Sequence, residues 1–289
     1  MSEPKKRTAV LLVSCADQPG LVSAVSGFIH EKRGNILTLE QHVDRAEGVF
    51  FMRVEWDLAN FELDEDGLRT AFESYLAKPK GMDWSLHFSD ETQRLALFAS
   101  KEPHCLIDLL ARQESGELKV EIPVVISNHR DLEESASRFG VDFRYVEVNR
   151  ENKEAAEDEQ KRILDSYEVE TIVLARYMQV LSGRFVHWYP NRIINIHHSF
   201  LPAFAGARPY HQAYKRGVKV IGATSHYVTD ELDEGPIIEQ DVKHVTHRDS
   251  VRALVRRGRD LEKVVLARAV HAHADRRVLV YKNRTVVFD

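Results

Sequence analysis

Three side chains in the C-terminal half, Asn195, His197 and Asp233, are of the types that chemistry on a carbonyl requires. They supply an amide to donate to an oxyanion, an imidazole to carry a proton and a carboxylate to orient or deprotonate. Asn195 and His197 sit in residues 193–206, an apolar run that turns into a polar, turn-rich loop. Ile193, Ile194 and Ile196 suit a strand covered on both faces, and Asn195 and His197, two apart, project from the same side of it. In open parallel sheets ligands bind beyond the carboxyl ends of the strands. Asp233 lies in a second polar knot, residues 228–236, between an apolar-leaning stretch at 221–226 and Ile237-Ile238; this reads as a loop joining two strands. By themselves an Asn-x-His pair and a distant Asp fit strand-end hydrogen bonding as well as catalysis.

The elements that must position these groups follow a regular order. Residues 8–14 read as a strand and residues 17–20 as a turn into an amphipathic helix over 21–32, with Val22, Val25, Phe28 and Ile29 near one face. Strands at 36–43 and 49–56 and a helix at 66–76 complete a β-α-β-β-α-β pattern, the mark of a small ferredoxin-like module. Asp17 reads either as a cap of the first helix or as an effector contact, and Gly20 as a tight turn. After a polar linker at 89–94, strands at 95–99, 120–126, 143–146 and 171–174 alternate with helices at 105–112 and 131–139 and a charge-rich helix through 149–167. That alternation predicts a Rossmann-like, mostly parallel sheet. The charges of residues 149–161 are explained by a solvated helix face. Residues 208–217 read as a helix, 222–228 as a strand, 250–272 as an amphipathic helix, and 278–281 with 285–288 as a hairpin. The expected domains are 1–88 and 89–289.

Composition narrows the function classes. With 289 residues, 43% hydrophobic and 29% charged, the chain is long enough for two cored domains. A net charge of -5 lacks the basic excess that gripping phosphates requires, so no nucleic-acid partner is expected. No secretory signal and no run of about 20 apolar residues is present, so no membrane partner and a cytoplasmic location are expected. Cys15 and Cys105 fall in different predicted domains and read as packing residues in a reducing setting. The 14 histidines include no His-x-x-x-His on a helix and no cysteine cluster, so no metal is expected. His211 and His226 should point toward the Asn195 site, whereas His197 and His198 should face opposite sides of an extended segment. A P-loop and a dinucleotide fingerprint are also missing.

Four long motifs carry a resemblance: Asn-Ile-His-His-Ser-Phe-Leu-Pro-Ala-Phe at 195–204, Pro-Tyr-His-Gln-Ala at 209–213, Gly-Ala-Thr at 222–224 and Leu-Asp-Glu-Gly-Pro-Ile-Ile at 232–238. Over nearly its whole length the chain resembles the folate-dependent formyltransferase family. With Asp17-x-Pro19-Gly20-Leu21, its N-terminal part resembles an ACT domain. The resemblance implies Asn195, His197 and Asp233 as catalytic residues. It also implies a folate pocket bordered by Met178, Gln179, Val180 and Leu181 and by Thr229, Asp230 and Glu231; taken alone, Met178, Val180 and Leu181 read as ordinary core. Asp17, Gly20 and Leu21 would hold an amino-acid effector, glycine or methionine, and such modules imply a homo-oligomer. The loop at 100–106, Ser-Lys-Glu-Pro-His-Cys-Leu, has no glycine with which to cradle a phosphorylated acceptor, though Lys101 offers a point charge. Water is then the expected acceptor: 10-formyltetrahydrofolate, as substrate and not cofactor, would yield formate and tetrahydrofolate. Asp233 would act on the water directly or through His197. A formyltransferase to an unphosphorylated amine and a non-catalytic folate or amino-acid sensor are the alternatives.

Overall fold

The computed structural model describes residues 7–202 and 209–289. Residues 203–208, which include the end of the 193–206 run and Arg208, and the basic tail before Arg7 lie outside the described residues. Chain contacts divide the protein into one unit of Met1–Thr92 with Arg276–Tyr281 and Val286–Asp289, and a second of Gln93–Asp275 with Lys282–Thr285. The segments 1–88 and 89–289 differ from this chiefly in where they put the C-terminal hairpin.

In the first unit, β1 (Thr8–Ala16) leads through Gly20 into α1 (Leu21–Glu31), which buries Leu21, Val25, Phe28 and Ile29. Gly20 is the N-cap at φ 87°, a conformation open to glycine, and no side chain caps α1; Asp17 is therefore not a cap. β2 (Asn35–Asp44) and β3 (Val49–Asp57) follow. Next, α2 (Glu65–Phe72), whose Asp64 cap accepts from Gly67 N at 2.8 Å, runs through a π-turn at Glu73–Ala77 into α3 (Lys78–Lys80). The single helix expected at 66–76 is thus a helix widened by one π-turn. β4 (Asp83–Phe88) closes an antiparallel sheet of order β2-β3-β1-β4, the ferredoxin-like arrangement the element order implies. Its core holds Trp56 and Phe72, the latter meeting Phe28 edge-on at 5.8 Å.

The second unit begins with β5 (Arg94–Ala99), α4 (His104–Glu114), β6 (Glu121–Ser127), α5 (Glu133–Arg138), β7 (Asp142–Tyr145), α6 (Lys153–Ser166) and β8 (Thr171–Leu174). α7 (Gly183–Trp188), β9 (Ile193–His197), α8 (Pro209–Arg216), β10 (Val220–Tyr227), β11 (Ile237–His244) and α9 (Val251–Ala274) follow. Among the described residues these strands form one seven-stranded sheet, β11-β10-β9-β8-β5-β6-β7. β7 to β9 run parallel, and β10 and β11 are antiparallel additions at one edge. Strands buried on both faces, such as β8 and most of β5, read as continuous apolar runs because helices cover them. Chain order reverses at β5, flanked by β6 and β8, which opens the crevice where such sheets bind ligands.

Two features depart from the sequence reading. α7 carries no periodic signal in its six residues; Ser182 caps it, accepting from Phe185 N at 3.2 Å. The charged face of α6 is not wholly solvated, because Glu157 and Gln160 are buried. Glu157 accepts from Ser182 N at 2.8 Å and from the Ser182 hydroxyl, and Gln160 donates to Tyr177 Oη at 2.9 Å. The hairpin strands β12 (Val278–Tyr281) and β13 (Arg284–Val287) end the chain, with Tyr281 meeting Phe51 at 5.4 Å inside the first unit.

α9 packs behind β9 and β10 and also against α8, and one glycine sets how close α8 comes to it. A Cβ on Gly258 would lie 2.1 Å from the Tyr210 ring. Gly258→Ala must therefore push the ring away or bend the helix, and overpacking of this kind costs about 1–3 kcal/mol. Urea unfolding should show that loss, and an unchanged midpoint would contradict the packing described.

Candidate functional site

Within the second unit a cavity of about 650 Å³ opens at the carboxyl ends of β8 and β9. That size suits a small-molecule ligand. Asn195, His197 and Asp233 line it, as do Met178, Gln179, Val180, Leu181, Thr229, Asp230 and Glu231. Met178 and Val180 are exposed and stand on its rim rather than in the core. Ser100, at the end of β5, fixes this rim: its buried hydroxyl accepts from Met178 N at 3.0 Å and donates to Asn128 Oδ1 at 2.7 Å.

The chemical centre is built on the β9–β10 pair, where Asn195 faces His226 and His197 faces Thr224. Asn195 Nδ2 lies 3.2 Å from His226 Nε2, and His226 Nδ1 lies 2.9 Å from Tyr227 O. A carbonyl only accepts, so His226 Nδ1 carries a proton, and its Nε2 stands between the Asn195 amide and the Asp233 carboxylate. One amide hydrogen of Asn195 is left over. Asp233 reaches back from its loop, with Oδ2 3.1 Å from His197 Nδ1 and Oδ1 3.6 Å from His226 Nε2. The hydrogen bond with His197 first, and that with His226 second, hold the Asp233 carboxyl well below the usual carboxylate range despite partial burial. His197 Nδ1 therefore donates, and its Nε2, buried and without a partner, is the lone pair of an imidazole that lines the cavity.

Local backbone makes this reach possible. Asp233 sits at φ 59°, a left-handed conformation that costs a non-glycine residue about 1 kcal/mol. The loop closes where Tyr227 N donates to Pro236 O at 2.9 Å, and a Cβ on Gly235 would lie 1.8 Å from Tyr227 O. Gly235 is thus what lets the loop return to the sheet.

His198 corrects one expectation. It does not face away from His197: β9 ends at His197, and the two rings stack with centroids 5.2 Å apart and planes 10° apart, both lining the cavity. His211 and His226 line it too, as expected. Behind His198 lies a buried polar cluster that the sequence reading missed. Arg176, at φ 64°, donates from Nη1 to His198 Nδ1, and its Nε is 3.4 Å from Glu262 Oε2. Glu262 also receives His104 Nε2 at 2.8 Å and Tyr210 Oη at 2.6 Å. Burial opposes the Glu262 charge, yet the His104 bond, the Arg176 charge and the Tyr210 bond together hold its pKa below the ordinary value. One signal was available: Glu262 interrupts the stripe Leu254, Gly258, Leu261, Val265, Leu266 on α9, and a carboxylate there must be paired. His104, Cys105 and Glu262 bring possible ligand atoms within 4.8 Å of one another. Glu262 is already neutralised by Arg176, however, and burial pushes the Cys105 thiol well up, so this set is a hydrogen-bonded network rather than a ready cation site.

In the first unit, Asp17 and Gly20 are exposed, and Asp17 N donates to Gly48 O at 2.8 Å. The Leu21 side chain is 2% exposed and belongs to the core. Cys15 and Cys105 are free and buried. No helix of the described residues is long and apolar enough to cross a membrane.

A depressed carboxyl pKa stabilises the fold above the unfolded carboxylate value and loses that contribution as pH falls through the folded one. Asp233→Asn should accordingly unfold at lower urea than wild type at pH 7, with the gap closing as pH drops below about 4. A gap independent of pH would mean that the carboxylate is not the stabilising form.

Comparison with known proteins bears on this geometry. The chain matches the formyl transferase family over residues 93–270 and the ACT domain over residues 9–75. A Synechocystis protein named formyltetrahydrofolate deformylase is 56% identical over 281 residues, covering 97% of this chain and 98% of the relative. A Bacillus subtilis protein of the same name is 52% identical, covering 96% and 93%. The crystal structure of a formyltetrahydrofolate deformylase from Pseudomonas syringae pv. tomato superposes with a TM-score of 0.95 at 48% identity, covering 98% of this chain and 95% of that one.

Proposed function

The chain belongs to the formyl transferase family, with an ACT domain ahead of the catalytic fold, and from that premise we propose that it hydrolyses 10-formyltetrahydrofolate to formate and tetrahydrofolate. The observation that carries the reading is His197, held at Nδ1 by an ionised Asp233 while its Nε2 stands unpartnered and Asn195 keeps a spare N–H. The near full-length likeness to proteins named formyltetrahydrofolate deformylase supports it. The enzyme class is that of a hydrolase of a linear amide C–N bond.

Each residue then has a step. Water adds to the formyl carbon while His197 Nε2 takes its proton, and the Asp233 carboxylate stabilises the imidazolium. Asn195 donates to the oxyanion, where one preorganised donor is typically worth about 3–4 kcal/mol. Collapse breaks the bond from carbon to N10, N10 receives the proton from His197, and formic acid leaves and yields its remaining proton to solvent as formate. The folate would lie against the rim formed by Met178 to Leu181 and by Thr229, Asp230 and Glu231. No metal and no cofactor enter these steps.

The first unit is read as a regulatory module, because an unrestrained hydrolase would drain the one-carbon pool it serves. Glycine or methionine, bound near Asp17 and Gly20, are the candidate effectors, and pairing of such modules gives a homo-oligomer. Leu21 would contribute its backbone, its side chain being committed to the core. Two buried free thiols and a folate substrate fit a cytoplasmic setting.

Incubation with 10-formyltetrahydrofolate and no amine should release one formate per tetrahydrofolate. Asp233→Asn should lower kcat by two or more orders of magnitude while circular dichroism stays that of the wild type. A rate that depends on added amine would make the protein a transferase, and folate binding without turnover a sensor. Calorimetry with glycine and with methionine should give a saturable heat, and silence up to millimolar amino acid would remove both as effectors.

A further inference from the structure

His197 and His198 are adjacent, stacked and lining one cavity, yet their surroundings give them opposite protonation patterns. His197 is bound at Nδ1 by a carboxylate, which accepts, so its proton sits on Nδ1 and Nε2 is free. His198 is bound at Nδ1 by Arg176, and a guanidinium only donates. Nδ1 of His198 must therefore be bare, with the ring's single proton on Nε2. The groups facing His198 are Arg176 from the turn after β8, Glu262 from α9, Tyr210 from α8 with ring centroids 6.3 Å apart, and His197 and Asp233 from the catalytic edge. Burial first, and the Arg176 charge next, push His198 down to about 4, so at neutral pH it carries no charge beside His197.

Arg176 itself is placed with unusual care for a residue outside the reacting trio. It occupies a left-handed backbone conformation, its side chain is only 15% exposed, and its countercharge Glu262 is 1% exposed and also tied to His104 and Tyr210. An arginine present only to be neutralised would not need a contact to the ring stacked on the catalytic imidazole.

We propose that Arg176 is a positioning residue for the hydrolysis: by donating to His198 Nδ1 it holds that ring neutral, so that His197 is the member of the stacked pair that takes up the proton of the attacking water. Were His198 to protonate, a cation would face His197 across the stack and oppose formation of the His197 imidazolium, and the extra proton would inactivate. Glu262 holds Arg176 for this task. The assignment rests on the hydrolytic reading, and the test separates the two.

The experiment is the pH profile of kcat for formate release from 10-formyltetrahydrofolate, for wild type, Arg176→Met and Arg176→Lys, together with ¹⁵N imidazole spectra of the wild type and Arg176→Met. Burial remains without Arg176, but the push of the cation is gone and Glu262 stays nearby, so His198 should titrate at a raised value. The ratio of Arg176→Met to wild-type kcat should then fall about tenfold for each pH unit below that value. Arg176→Lys keeps a cationic donor and should follow the wild-type slope, and Arg176→Met with His198→Asn should lose the added limb. The wild-type spectrum should show Nδ1 of His198 unprotonated at pH 7. A ratio constant across pH, or a protonated Nδ1 in the wild type, overturns the proposal. If Arg176→Met does not fold, the Arg176→Lys slope and the wild-type spectrum decide. A wild type that releases no formate refutes the hydrolytic reading instead, while the spectrum still reports on His198.

Discussion

The interaction on which the site depends is the hydrogen bond between Asp233 and His197 Nδ1. A free imidazole has two tautomers and can turn about two torsions, and either change would move its reactive lone pair. The carboxylate removes both freedoms, because it accepts only from Nδ1–H and thereby commits Nε2 to the cavity. Everything that brings Asp233 to this place is arranged against local preference. Its φ is positive, the following turn needs a glycine at 235 because Tyr227 O is too near for a Cβ, and a half-buried carboxylate must be compensated by two imidazoles. Such departures from ordinary geometry persist where the surroundings over-determine them, and they gather at working sites.

The antiparallel strand β10 is what makes the compensation possible. A purely parallel sheet would end its strands side by side at the crevice, with helices between them. Because β10 returns against β9, His226 stands directly across from Asn195, and the loop after β10 starts beside Ile193 and Ile194 and brings Asp233 back to His197. Asn195, His197, His226 and Asp233 are thereby brought together by one pair of strands and one loop. Rigid ladder bonds, rather than long flexible side chains, carry the precision that a catalytic centre requires. Thr224, across from His197, extends the same logic: its hydroxyl accepts from Leu201 N and donates to Ser199 O, fixing the chain just beyond the strand.

How much of this was legible in the sequence depends on the range of the interaction. β8 and β9 were readable because continuous apolar runs bounded by polar residues leave few other meanings, and the Asn195–His197 spacing follows from the period of a strand. The βαββαβ order likewise fixed the sheet of the first unit. What could not be read is what tertiary contacts decide. The π-turn after Phe72 leaves no mark in composition. α7 is held by Ser182 and Glu157 rather than by a periodic face. His198 was expected to face away because strand alternation was carried one residue beyond the strand's end. Arg176 and Glu262 are 86 positions apart, and only the oddity of a carboxylate on an apolar stripe pointed to a buried partner. Resemblance supplied the roles of Met178 to Leu181 and of Thr229 to Glu231, which by residue type alone read as core and loop.

The protonation states also choose between two routes for the water's proton. A carboxylate held well below its usual range is a weaker base than an ordinary one, and both Asp233 oxygens already face imidazole nitrogens. Proton transfer is most effective when the acceptor's affinity for the proton is matched to the working pH. Asp233 is poorly matched and committed elsewhere, whereas His197 Nε2 is unpartnered and lines the cavity. The same hydrogen bond that depresses Asp233 holds the His197 ring in place as the proton arrives. In the proposed hydrolysis the carboxylate accordingly holds and stabilises, the imidazole receives, and the proton's path runs through His197 rather than directly to Asp233.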